Sequence, residues 1–229
     1  MSGRDVGNAI AEPIVGVVLA GGLSRRMGGG DKGLLNLGDR SMIGHVVARL
    51  RDQAGPLVIN ANGDPARFSA LGLPVQPDTV DDTPGPLAGI LAGLIWAQTN
   101  APTVTHIASV SSDAPFVPRD LVAQLRAALA QAPNAKIALA RSEDGLHPVI
   151  GLWPVALADD LDRALRDGVR KVLHWTDRHG TAEVHFGPVQ IGGVTVDPFF
   201  NANTPDDFAQ ARALIAEAEA PSETDEVAR

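Results

Sequence analysis

The sequence predicts a three-layer α/β fold, with a mostly parallel sheet flanked by helices. Three observations predict it. Short apolar runs rich in branched residues alternate with longer segments of helical period, as expected when strands are buried on both faces and joined by helical crossovers. A glycine-rich loop follows the first apolar run directly. The chain of 229 residues, 45% hydrophobic and 20% charged, is long enough to bury one sizeable core.

Taken in order, Ile14 to Leu19 reads as the first buried strand. Met42, Ile43, Val46, Val47 and Leu50 then recur at helical spacing. Leu57 to Ile59 gives a second strand and Leu73 to Val75 a short third. Pro86 to Gln98 is a helix with proline in its first turn, where the missing N–H costs nothing, and Gly85, Gly89 and Gly93 give it a bare face. Ile107 to Val110 is a strand ending at Ser111-Ser112-Asp113, and Leu121 to Ala130 the next helix. Lys136 to Ala140 and Pro148 to Trp153 are strands joined through a turn at Asp144-Gly145. Helices at Val155 to Leu165, Arg170 to His174 and Asp206 to Ala218, with a strand at Val184 to Phe186, complete the pattern. No internal repeat or long linker divides it. A single domain over residues 14–217 is expected, with residues 1–13 and 218–229 as flexible tails.

Composition excludes several classes. The chain has no cysteine, so any metal site must use oxygen or imidazole. A formal charge of −8 argues against a protein that coats nucleic acid. No apolar run reaches membrane-spanning length, and Met1 to Glu12 lacks the apolar stretch of a signal peptide. The cytoplasm is the expected compartment.

The chemistry concentrates after the first strand, in Leu19-Ala-Gly-Gly-Leu-Ser-Arg-Arg-Met-Gly-Gly-Gly-Asp-Lys32. A strand followed by glycines leaves unpaired backbone N–H groups in a concave nest that suits anionic oxygens. The loop matches neither common fingerprint. Gly33 follows Lys32 where a P-loop needs Ser or Thr, and Gly-x-Gly-x-x-Gly does not follow the strand. Three cations remain, Arg25, Arg26 and Lys32. Charge-assisted bonds from such groups suit a triphosphate with its roughly four negative charges.

Downstream candidates each carry two readings. Asp113, at the end of a hydrophobic strand where ligands gather in open sheets, would suit magnesium or would cap a helix. Asp78 would accept both N1–H and the N2 amino group of guanine, a donor pair that cytosine lacks, or would lie in a solvated acidic loop. Asn60 and Asn62, like Asn201 and Asn203, present amide donors and acceptors to a ligand or form turns. Thr204-Pro-Asp-Asp reads as a helix start, and His147 as a structural residue before Pro148.

Together these motifs resemble the molybdenum cofactor guanylyltransferases. The resemblance rests on Leu19-Ala-Gly-Gly-Leu-Ser-Arg-Arg-Met-Gly with Asp31-Lys32, Val58-Ile-Asn-Ala-Asn62, Asp78 before Pro84-Gly-Pro-Leu-Ala-Gly89, Ser112-Asp113-Ala-Pro115, His147-Pro148 and Asn201-Ala-Asn-Thr-Pro205. It covers all but the termini. It implies a Rossmann-like, GT-A-type nucleotidyltransferase fold and transfer of GMP from GTP to molybdenum-molybdopterin, with magnesium as cofactor.

By position, the resemblance implies that Leu19, Ala20, Gly21, Gly22, Lys32, Asn60, Asp78 and Asp113 bind GTP, with Asp113 also on the metal. Lys32, Asp113 and Arg26 would act in catalysis, and Asn201 and Asn203 would lie on the pterin side. Proteins that insert or deliver the cofactor are the implied partners. The related cytidylyltransferases typically read Leu-Ala-Ala-Gly where this chain has Leu-Ala-Gly-Gly, so the loop favours GTP over CTP. A non-catalytic cofactor-binding or delivery protein is a further alternative, and the presence of Asp113 and Lys32 speaks against it.

Overall fold

The computed structural model describes residues 13–21, 32–80 and 85–219. At its centre, the first strand β1 (Val15–Leu19) is buried between two parallel neighbours, β4 (Leu57–Asn60) and β6 (His106–Ser111). Beyond β4 lies β5 (Val75–Gln76), also parallel. On the other side come β8 (Gly145–Pro154), antiparallel to β6, then β7 (Ile137–Ser142) and β9 (Thr181–His185). The sheet order is therefore β5-β4-β1-β6-β8-β7-β9. It is mostly parallel, with β8 the strand that runs against its neighbours.

Alternation along β1 explains the layers. Val18 joins Ile59 and Val110 in a core cluster with Ile43, Val46 and Leu50 of α1 (Met42–Arg51) and Leu121 and Leu125 of α3 (Leu121–Gln131). Val15 and Val17 face the opposite way. They pack with Leu87, Ile90 and Leu91 of α2 (Pro86–Asn100), Leu161 and Leu165 of α4 (Ala158–Arg166), and Trp175 of α5 (Val172–Thr176). Successive side chains on a strand point to opposite faces, so one apolar run fills two cores.

Three local elements lie outside the expected pattern. They are a short hairpin, β2 (Asn36–Leu37) with β3 (Arg40–Ser41), a 3-10 segment over Pro65–Leu71, and a hairpin of β10 (Val189–Ile191) and β11 (Val194–Val196). Their apolar runs are too short to show a period. The second hairpin packs with the C-terminal helix α6 (Pro205–Glu219) in a third cluster of Leu37, Met42, Phe116, Ile191, Val196, Ala211 and Leu214. That cluster carries the 197–204 segment across the end of β6. Among the described residues, no helix is long and apolar enough to cross a membrane.

Candidate active site

The sheet order places the cleft. From β1 the chain winds outward to β4 and β5, then crosses to β6 on the other side of β1. The carboxyl end of β1 is thus the switch point where open α/β sheets bind ligands. Leu19 and Ala20 are held there by both neighbours, Ala20 N donating to Asn60 O (2.8 Å) and Ser112 N to Leu19 O (3.0 Å). Gly21 follows, its Cα side open except for Asn60 Oδ1, which a Cβ there would meet at 3.7 Å. Gly22, Arg25 and Arg26 lie outside the described residues.

On the β4 side, Asn60 is buried at 3% exposure. Its Nδ2 donates to Asp78 Oδ1 (2.9 Å) and to Gln76 O (3.1 Å). Asn62 Nδ2 donates to the other carboxylate oxygen of Asp78 (2.8 Å), and Asn62 Oδ1 accepts the Asp78 backbone N–H (2.9 Å). Helix α2 comes close enough to wall this cluster because it is bare there. A Cβ on Gly89 would overlap Asn60 Oδ1 and lie 3.0 Å from Leu19 Cδ2, and one on Gly93 would meet Val17 at 2.7 Å. Gly89 and Gly93 of the glycine face read from the sequence thus form the surface on which α2 approaches β1 and β4, whereas Gly85 caps the helix at positive φ, where a Cβ would meet nothing within 4 Å.

On the β6 side, Lys32 opens a 3-10 turn (Lys32–Leu34). Its ammonium pairs with Asp113 Oδ2 and donates to Asn203 Oδ1 (2.6 Å). Both members of the ion pair are largely buried, at 15% and 13% side-chain exposure. Asp113 Oδ1 accepts the Ser111 hydroxyl, and Asp113 O accepts Ala202 N–H (3.2 Å). Asp113 caps no helix, since α3 begins only at Leu121.

Asn203 is anchored through α6. Asp207 Oδ2 accepts the N–H groups of Asn203 (3.0 Å) and Thr204 (2.8 Å), while Asp207 N–H donates to Thr204 Oγ1 (3.1 Å). This reciprocal capping is the helix start expected at Thr204. A hydrogen bond from the Thr204 hydroxyl to the carboxylate, then those from the backbone N–H groups of Thr204 and Asn203, with Lys32 nearby, hold the Asp207 carboxyl below the usual carboxylate range. Asn201 Oδ1 is buried with no hydrogen-bond partner among the described residues.

His147 borders this wall without entering either cluster. Its Nε2 is 2.8 Å from Ser142 Oγ and its ring packs on Phe199. Burial holds its pKa below the ordinary value, against the opposing pull of Asp197 and Asp144. The structure therefore brings the candidates into two groups flanking Leu19, Ala20 and Gly21: Asn60 with Asp78, and Lys32 with Asp113 and Asn203. Ser111 and Asp207 carry no signal as site residues in the sequence, because a serine at a strand end and an aspartate at a helix start have ordinary structural uses.

Known proteins share both the sequence and the fold. A family model described as the MobA-like NTP transferase domain matches residues 16–182. A molybdenum cofactor guanylyltransferase of a Bradyrhizobium species is 52% identical over 204 residues, 89% of this chain and 93% of that protein. One from Nitrobacter hamburgensis is 49% identical over 205 residues, 89% and 95% of the two chains. The crystal structure of molybdopterin-guanine dinucleotide biosynthesis protein A from Archaeoglobus fulgidus shares the fold, with a TM-score of 0.65, 21% identity and coverage of 89% of this chain and 100% of that one. With most of its length matched by the domain model and about half of the aligned residues shared with the two guanylyltransferases, the chain belongs to the MobA-like NTP transferase family, in its molybdenum cofactor guanylyltransferase branch.

Proposed function

We propose that the chain transfers GMP from GTP to the terminal phosphate of molybdenum-molybdopterin. A phosphate oxygen of the pterin attacks the α-phosphorus of GTP, a new P–O bond forms, and the bond to the bridging oxygen breaks as pyrophosphate leaves. The attacking oxygen is already ionised near neutral pH, so the residues need not remove a proton. Catalysis then rests on alignment and charge compensation, as in phosphoryl transfer generally.

The observation that carries this reading is the pairing of two unlike clusters across one switch point. The Asp78 carboxylate, gripped by Asn60 and Asn62, would accept the paired N–H donors of guanine. Lys32, across β1, holds a positive charge beside Asp113. In the reaction its ammonium would neutralise charge gathering on the departing pyrophosphate, with Arg26 of the preceding loop as a second cation. Asn201 and Asn203 would face the pterin, and Oδ1 of Asn201, which has no partner among the described residues, supports a donor arriving from a ligand.

Magnesium fits this donor set. Among the described residues, no three acidic or imidazole groups converge; Asp113 would give the ion a carboxylate, with phosphate oxygens and water in the rest of the shell, as magnesium commonly takes. When bound, it supplies further charge neutralisation at the triphosphate. Proteins that deliver or receive the cofactor are the expected partners, and the cytoplasm the expected compartment.

The test incubates the protein with magnesium and molybdenum-loaded pterin, with GTP or CTP in parallel. Pyrophosphate release with GTP alone is expected. Release with CTP at an equal rate, or with neither, contradicts the proposal.

A further inference from the structure

Asn62 lies just past the end of β4, two residues after Asn60, and is exposed. Yet its amide engages one residue twice, donating to Asp78 Oδ2 and accepting from Asp78 N–H. The partners are 16 positions apart, so this is not the local bonding by which asparagine shapes turns. Asn60 meanwhile donates to the opposite carboxylate oxygen. Held at both oxygens, the Asp78 carboxylate loses the broad terminal rotation that an aspartate otherwise has. Arg67 donates to Asn62 O (2.7 Å) and so fixes the backbone that carries the clamp.

We propose that Asn62 is a positioning residue that gives this site its preference for a base with a 2-amino group. The proposal rests on the reading of Asp78 as the group that meets the base. Each carboxylate oxygen offers two lone pairs. Asn60 and Asn62 each use one, on different oxygens, and leave one free on each. Two parallel donors from guanine, N1–H and the N2 amino group, need two acceptors side by side in a fixed plane. A carboxylate free to turn must give up that freedom to meet both donors, and gives up less to meet one. Hypoxanthine offers only N1–H. Releasing Asp78 therefore penalises guanine more than hypoxanthine, and Asn62 acts on discrimination more than on chemistry.

The experiment measures kcat and KM for GTP and for ITP, using the full chain with magnesium and molybdenum-loaded pterin, in the wild type, Asn62→Ala and Asn62→Asp. In Asn62→Ala the ratio of kcat/KM for GTP over ITP should fall roughly tenfold, the size expected for loss of one hydrogen bond to a charged group, with KM for GTP rising more than kcat falls. Asn62→Asp keeps the shape and the acceptor for Asp78 N–H but sets like charges together, so it should discriminate worse than Asn62→Ala. A merely structural role would rank the isosteric Asn62→Asp variant above the alanine variant and would change both nucleotides alike. An unchanged ratio, or equal losses for GTP and ITP, overturns the positioning role while leaving guanylyl transfer standing. A wild-type chain that does not use GTP overturns the underlying reading, and this inference with it.

Discussion

The two sides of the cleft are built by different means. On the β4 side, Asn60 ends β4, and Asn62 and Asp78 lie just past the ends of β4 and the adjacent parallel β5, no more than 18 positions apart. Sheet bonds hold the strand ends that carry them, with Ile59 N–H donating to Pro74 O (2.9 Å) and Ala61 N–H to Gln76 O (3.2 Å). On the β6 side, Lys32 and Asn203 are 171 positions apart and meet through one ammonium shared with Asp113. A base differs from its competitors by a few hydrogen-bonding atoms, so reading it calls for groups that are rigid before it arrives. A triphosphate brings its own charge, and the groups that meet it can exchange one ionic partner for another. On the proposed reading, the difference teaches that selectivity would reside at the ends of the sheet strands and charge compensation in the segments draped over them.

The largest expected effect falls on the draped side. Lys32→Met removes the cation that the described residues bring to the site and leaves Asp113 facing Asn203 without that counter-charge. Its kcat should fall roughly 10²-fold or more, the usual scale for losing a group that meets developing charge, with base preference retained. Steady-state kinetics on GTP checks this. A loss of preference along with turnover would erase the distinction between the two sides.

A smaller effect sharpens the rigid side. Gly89→Ala drives a methyl into Asn60 Oδ1 and Leu19, and either α2 or Asn60 must move. Overpacking of this kind costs about 1–3 kcal/mol, read as a lower denaturant midpoint, and displacing Asn60 should raise KM for GTP with little change at Lys32. A variant as stable as wild type would mean that α2 does not wall the cluster.

The smallest effect concerns the anchor of Asn203. Asp207→Ala removes the carboxylate half of the reciprocal cap of α6, leaving the Asp207 N–H on Thr204 Oγ1, and should cost about 0.3–1.5 kcal/mol of stability. The folded carboxyl lies below its ordinary value, so its contribution is full above the unfolded value of about 4 and is lost as pH falls through the folded one. The stability gap between wild type and variant should therefore be constant from about pH 5 to 8 and narrow in acid. Urea titrations across that range measure it, and a gap that widens in acid would contradict the assignment.

The same contrast governs what the sequence reveals in advance. Strand positions, the helical period of α1, and the proline start and spaced glycines of α2 are legible because each is a local pattern with one physical cause. Asn60 and Asp78 are legible as strand-end polar groups. Their mutual bonding is not, since the register that sets Asn60 beside Gln76 is fixed by the sheet and not by either segment. Asn62 is visible as an amide but indistinguishable from a turn residue. On the β6 side, Lys32, Asp113 and Asn203 are separate candidates. Their convergence depends on the third core cluster, which holds the 197–204 segment and draws on the β10–β11 hairpin, too short to carry a period. Arg26 and Gly22 lie outside the described residues, so their part stays with the motif.

The most direct test of a two-sided site compares Asp78→Ala with Asp113→Ala, measuring kcat and kcat/KM for GTP and CTP with magnesium and molybdenum-loaded pterin. The two-sided account predicts that Asp78→Ala loses its preference for GTP while turning over substrate, and that Asp113→Ala loses turnover while the preference among bound nucleotides survives. If the two variants show the same pattern of losses, the division of labour across β1 is contradicted.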